Sequence, residues 1–360
     1  MLTNLQRIDT DIVRLQEIPT QFFNGLEEAE EFGDHLFPDW TREVFGGTTL
    51  FNKFEAVFNK YKAIEDEASR TRIIQAFTHS NQVEGLCKCE EAIEVIELND
   101  LDESIRGDLD TLFLFLYDTA LNYHKFEAFI GTTVADSLKR FVYKKNKLQV
   151  CPFCGLEAFL MIDGQSRLAL DHWLCKDLFP AVAVNFDNLI PIGDKCNGRP
   201  AKGDTNILID GKTTRNRNVA YYPYQEHHGI NTSFSYVNEP SIDGITDEDW
   251  QFDFQPTETS ERGMFKSWST VFNIKKRYLS FYREHVFDLW EEDYKEWVED
   301  DHDINHANSI EELKANLRTY RAGFQIKKRI GAVLYRPFLD YLINEASDAY
   351  LYGLYKRFNE

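Results

Sequence analysis

LDHWLCKDLFP, residues 170–180, carries an acid and a histidine side by side, Asp171 and His172, and then a loop that closes on Phe179 and Pro180. Upstream, AFLMI (158–162) and QSRLAL (165–170) flank Asp163-Gly164. Asp-Gly suits a two-residue turn whose central positions both take positive φ, so a hairpin is expected, with Asp171 and His172 at the end of its second strand. Before it stands CPFCG (151–155), and after it come NLIPI (188–192) and KCNGRPAKGD (195–204). Five chemistry-bearing pieces thus fall within about fifty residues in a fixed order.

The rest of the chain has a different texture. FNKFEAVFNKYKAI (51–64) and IRGDLDTLFLFLYDTALNYHKF (105–126) repeat apolar residues at helical spacing, so residues 1–148 are expected to form an acidic helical domain. Residues 149–225 form the unit around the quoted stretch. Within 226–360, SFSYV (233–237) and WQFDF (250–254) alternate as strands do, with NEPSIDG (238–244) as a turn between them. Helix returns over 260–299 and 309–357, separated by the polar linker VEDDHDINHANS (298–309), and Ser309-Ile310-Glu311-Glu312 fits a capping box. The expected class is α+β: a small strand-containing module flanked by mainly helical N- and C-terminal domains.

Hydrophobic content of 43% with 14% aromatics is that of a globular chain and argues against disorder. The start, MLTNLQRIDTDIV, has no apolar core of the kind a secretory signal needs, and runs such as LFLFLY (112–117) are too short to cross a bilayer. A cytosolic chain is expected, its six cysteines serving as thiols or metal ligands rather than disulfides. The net charge of −20 disfavours a general nucleic-acid binder. Its distribution is uneven. Residues 138–217 hold thirteen Lys and Arg against eight Asp and Glu, a net +5 that leaves −25 on the other 280 residues. A phosphate backbone would be tolerated at this basic island and repelled elsewhere. Equally, the acidic surface serves solubility or a basic protein partner.

Taken together and in order, Cys151-Pro-Phe-Cys154, Asp171-His172, Asn188-Leu189-Ile190-Pro191, Cys196-Asn197 and Lys202-Gly203-Asp204 resemble the HNH, or ββα-metal, endonuclease family. The resemblance covers about 55 of the 360 residues. It implies a nuclease module, metal-dependent hydrolysis of phosphodiester bonds, with DNA the expected substrate, and a Mg²⁺ or Mn²⁺ ion held by Asp171 and Asn197. His172 would then be the general base and Asn188 the residue that holds the loop and orients it. Lys202, with Arg199 and Lys195, would contact nucleic acid. The chemistry is consistent: imidazole can be neutral near pH 7, and hard oxygen donors suit Mg²⁺. Gly198, Arg199 and Pro200 lengthen the step from Asn197 to Lys202 relative to the family pattern. HNH modules between helical extensions also resemble effector nucleases of bacterial anti-phage defence, which implies an ATPase or sensor partner, or self-association, and no membrane.

A structural Zn²⁺ is the second metal the resemblance implies. Relatives pair two CxxC knuckles, whereas here the second reads Gly193-Asp-Lys-Cys196, leaving Cys151, Cys154 and Cys196 as thiolates and either Cys175 or Asp194 as the fourth ligand. The alternative is that these cysteines are buried apolar side chains. His227-His228 reads as surface loop rather than a metal pair, and Arg215-Asn-Arg217 either extends a phosphate path or is solvated loop. Two rivals to a defence nuclease stay open. One is a nicking, homing or restriction-type HNH enzyme, for which the flanks offer no reading module. The other is an inert HNH-fold acidic protein that docks a partner or mimics DNA.

Overall fold

The computed structural model of the chain describes residues 3–159, 161–162, 165–166, 170–210, 215–237, 250–300 and 306–359. The backbone combines many helices with short antiparallel strand pairs, as expected for α+β. Its residues group into two compact units, 4–147 with 160–226, and 1–3 with 148–159 and 227–360. The CxxC segment groups with the C-terminal helices, and the strands that follow it group with the N-terminal ones.

In the first unit, helix follows from capping and spacing. Leu50–Ala63 buries Leu50, Phe51, Phe54, Val57, Phe58 and Tyr61, one face of a 3.6-residue repeat. Asp66 caps Glu67–Ser80 by accepting from the Ser69 amide, and Asp102 caps Glu103–Phe115 by accepting from that of Ser104. The apolar faces meet in a phenylalanine cluster. Phe23 stacks on Phe77 at 4.3 Å between centroids, and Phe22 packs on Phe54 at 4.7 Å. Each such buried ring contributes about 1.5–3 kcal/mol of transfer free energy. Past Phe115 the helix widens into a π-helical turn, Leu116–Ala120.

Four short strands carry the quoted stretch. β1 (Met161–Ile162) pairs antiparallel with β2 (Gln165–Ser166), Ile162 opposite Gln165, as the hairpin expectation requires; Asp163 and Gly164 themselves lie outside the described residues. β3 (Leu170–His172) does not pair with β1. Its partner is β4 (Leu189–Pro191), with Asp171 opposite Ile190 and His172 opposite Leu189. The pairing is intelligible from burial, because all six residues of β3 and β4 are buried, the pattern of a core pair. A four-residue helix, Asp194–Asn197, follows β4. Two further strands, β5 (Ile209–Asp210) and β6 (Asn216–Arg217), pair with each other.

The loop from β3 to β4 docks on the N-terminal helices. Pro180–Val182 packs against Glu67–Ser80 and Glu103–Phe115, the Leu98 amide donates to the Leu178 carbonyl at 2.8 Å, and Asn185 bonds Asn81 at 2.9 Å. Arg7 ties the same loop from the N-terminal end, donating to Asp187 at 2.7 Å and to the Tyr222 hydroxyl at 3.0 Å.

The second unit contains the hairpin of β7 (Ile230–Tyr236) and β8 (Trp250–Pro256), in which Phe234 faces Phe252 and both are buried. The turn expected over 238–244 lies outside the described residues. The helices Arg262–Val271, Ile274–Phe281, Asp288–Asp300, Ile310–Ala322, Ala332–Asn344 and Asp348–Asn359 enclose an aromatic core that includes Trp290, Tyr294, Tyr320, Phe338 and Phe358. The Ser309 side chain accepts from the Glu312 amide, as expected, but Glu312 reaches back to the amide of Asn308 rather than of Ser309. Among the described residues no helix is long and apolar enough to cross a membrane.

Candidate metal and phosphodiesterase site

The site is built on β3. Neighbouring strand residues point apart, yet Asp171 and His172 are both buried, 9% and 5% exposed. Each has its own set of partners. Asp171 receives Lys202, whose Nζ lies 2.7 Å from Oδ2 with the two side chains 1% and 11% exposed. The Asn197 side-chain amide lies against the same carboxylate, and assigned with its NH₂ toward Asp171 it donates at 2.8 and 3.2 Å. Burial pushes the Asp171 carboxyl up, and the Lys202 ammonium opposes that rise.

His172 sits under Tyr117. The two rings meet edge to face at 4.4 Å, and the Tyr117 hydroxyl donates to the Leu170 carbonyl at 2.9 Å. Burial pushes that phenol up to about 12, which keeps it a donor at neutral pH. On the other side, His172 Nε2 lies 3.0 Å from the Ala183 carbonyl. A carbonyl only accepts, so Nε2 carries the proton, and in the neutral ring Nδ1 holds the lone pair. Burial, helped by the charges of Lys176 and Lys202, lowers the His172 pKa to about 4, against the pull of the Ala183 carbonyl. At pH 7 the imidazole is neutral. Lys202 acts electrostatically on both Asp171 and His172, and Asp171 acts on Tyr117, so the two partner sets share one neighbourhood.

Asn188 is fully buried and clasps the loop that follows β3. Its Oδ1 accepts from the Leu174 amide at 2.7 Å, its Nδ2 donates to the Leu174 carbonyl at 3.1 Å, and its carbonyl accepts from the Trp173 amide at 2.7 Å. A side-chain amide supplies both a donor and an acceptor, so it can hold both backbone groups of one residue.

Lys202 differs from expectation. It does not face solvent as a free phosphate contact, because its ammonium is spent on Asp171. The longer step from Asn197 is folded back: the Lys202 and Gly203 amides donate to the Cys196 and Asn197 carbonyls at 3.1 and 2.8 Å, past the end of the short helix. Gly203 makes this possible with φ of +48°, where an added Cβ would meet Arg199 at 3.0 Å. Arg199 and Lys195 are exposed, and Arg199 is bound bidentately by Asp204. Arg215 and Arg217 serve the fold: Arg215 pairs with Glu97 and Asp100, and Arg217 donates to the Ile93 and Leu86 carbonyls.

The cysteines fall into both units. In the C-terminal one, Cys151 and Cys154 are fully buried in a tight turn. The Gly155 amide donates to the Cys151 carbonyl at 2.9 Å with Gly155 at φ +68°, and the Leu156 amide lies 3.3 Å from Cys154 Sγ. The turn is anchored by Trp268, which donates to the Phe153 carbonyl, and by Tyr278, which donates to that of Cys154. Cys196 is fully buried on the Asp194–Asn197 helix. Cys151 and Cys154 in the one unit and Cys196 in the other are the buried thiols available to the expected zinc. Burial raises the Cys175 thiol pKa. His227 is buried rather than at the surface, accepting from the Gly229 amide, and His228 Nδ1 lies 3.0 Å from Glu261.

Tyr117, Lys176 and the Ala183 carbonyl carry no sequence signal. Tyr117 lies within an apolar run that reads as core, and only the π-helical turn sets it apart, a feature often found beside functional groups. No family model matches the chain, and neither does any curated protein or solved structure.

Proposed function

We propose that this chain is a divalent-metal-dependent endonuclease that hydrolyses phosphodiester bonds, with DNA as the expected substrate and His172 as the general base. The observation that carries this reading is the state of His172: neutral at pH 7, its Nε2 committed to Ala183 and its Nδ1 left as the basic atom. Asp171 offers a carboxylate, and Asn197 beside it an amide oxygen once that side chain turns from donating to Asp171, hard oxygen donors of the kind that fit Mg²⁺ or Mn²⁺. These two residues would hold the ion. When bound it would supply positive charge at the scissile phosphate and at the leaving oxygen. Water and phosphate oxygens would complete the shell, a preference of Mg²⁺.

The chain's own residues then divide the work. His172 Nδ1 takes the proton of the attacking water. Tyr117 and Ala183 hold the ring on two sides, and Asn188 holds the backbone that leads away from it. Between helical extensions, such a nuclease suits an effector in bacterial defence acting with an ATPase or sensor subunit. Plasmid nicking with Mg²⁺ or Mn²⁺ tests the reading: wild type should cleave, and His172→Ala should be slower by about 10²- to 10⁴-fold. A second reading is favoured by the burial of Asp171, His172 and Lys202 and by the net charge of −20: an inert module on an acidic protein that docks a partner. Wild-type protein silent with every divalent ion would support it.

A further inference from the structure

The Asp171 carboxylate is already satisfied by groups of the protein. Lys202 holds Oδ2 at 2.7 Å, and the Asn197 NH₂ engages both oxygens. The lysine is brought there by construction: the two backbone bonds onto Cys196 and Asn197 and the left-handed Gly203 fix the chain on either side of it. A buried ammonium is costly unless paired, so the fold holds Lys202 to Asp171. Together Asp171 and Lys202 carry no net charge, and an amide NH₂ offers nothing to a cation. As arranged, the residues that would hold a divalent ion give it no net attraction.

We propose that Lys202 is an internal cation that occupies Asp171 when no metal is bound and must withdraw before a divalent ion can bind, so that the site holds one cation at a time. This rests on the nuclease reading in taking Asp171 as the metal-binding carboxylate and the substrate phosphate as the anion that receives Lys202. Withdrawal strands the ammonium unless a second anion receives it, and the anion a nuclease meets is the phosphate of its substrate. Lys202 therefore couples the two: each of metal and nucleic acid strengthens the binding of the other, and the free enzyme holds metal poorly. The residue expected to be a phosphate contact becomes one only after leaving its acid.

Mn²⁺ titration of the full chain, followed by electron paramagnetic resonance, tests this. Lys202→Met should bind Mn²⁺ at least about tenfold tighter than wild type, since a full opposing charge is removed at contact distance. Lys202→Arg should stay near wild type, and Asp171→Asn should bind weakly in either background. Equal or weaker binding by Lys202→Met overturns the inference, and so does a failure of every variant to bind. Because Lys202→Met could fold poorly, a wild-type readout stands beside it: the ¹⁵N–¹H signal of the Lys202 ammonium, sheltered by burial, should shift or vanish on Mg²⁺ saturation in the presence of a non-cleavable oligonucleotide. An unchanged signal while plasmid is cleaved overturns the inference and leaves the nuclease reading intact. Affinities in the expected order without cleavage in any variant support the inference and sink the nuclease reading instead.

Discussion

Tyr117 lies 4.4 Å from His172, ring centroid to ring centroid, and its hydroxyl bonds the Leu170 carbonyl two residues earlier on the same strand. One side chain from the N-terminal helices thus fixes both the strand and the imidazole at its end. Tyr117→Phe keeps the ring and loses one hydrogen bond, which should cost about 1 kcal/mol. Tyr117→Leu also loses the aromatic contact and should cost about 2–3 kcal/mol in denaturant unfolding. At a temperature where all three proteins are folded, nicking should fall more in Tyr117→Leu than in Tyr117→Phe. Equal rates would show that the ring does not orient His172.

The depressed pKa of His172 makes stability depend on pH. Its folded value, about 4, is below the ordinary 6.5, so between these values the unfolded chain binds the extra proton and unfolding is favoured as pH falls. The loss should total about 3 kcal/mol across that window, absent above pH 7 and complete below pH 4. Asp171 opposes it: its folded pKa is raised, so its protonation at acid pH returns some stability. Buried His227, also near 4, contributes to the wild-type slope, so the measurement is the difference between wild type and His172→Gln. If the two unfolding curves run parallel from pH 7 to 4, His172 is not buried as a neutral ring.

Asn188→Ala would leave the amide and carbonyl of buried Leu174 without their side-chain partner. A loss of about 3 kcal/mol is expected, from two orphaned groups at 1–3 kcal/mol each. Asn188→Asp keeps the acceptor but turns a carboxylate toward the Leu174 carbonyl, and should rescue little. Thermal unfolding of both variants is the check, and full rescue by Asp would overturn the clasp.

If Cys151, Cys154 and Cys196 bind zinc, elemental analysis of protein purified without added metal should find zinc near stoichiometry, lost in Cys151→Ser and kept in Cys175→Ser. A chelator should then lower the unfolding midpoint, because the binding free energy of a structural zinc is folding free energy. Metal-free protein with an unchanged midpoint would mark the three as buried thiols only.

The legible parts of the chain were those with a local cause. Helical spacing at 51–64 and 105–126, the caps, and alternation at 233–237 and 250–254 depend on near neighbours, and the structure has those elements. Asp171 and His172 could be singled out because they are adjacent. What escaped was contact across distance. Nothing near residue 170 tells β3 to pair with residues 189–191 rather than with the hairpin before it; the choice follows from burial on all sides. Tyr117 is separated from His172 by 55 positions and lies in a run whose apolar pattern hides it. Lys202 was visible as a cation but not as the partner of Asp171, since its position depends on how Gly203 turns the backbone.

The docking of the Pro180 loop on the Glu67–Ser80 and Glu103–Phe115 helices has a practical consequence. Residues 149–225 look excisable by motif, yet a fragment cut there would lack Tyr117, the Leu98 amide that holds Leu178, and Arg7, which holds Asp187. Grafting the stretch into another scaffold would transfer the letters of the motif without the walls that give them shape. The smallest piece worth expressing for this chemistry begins near residue 4.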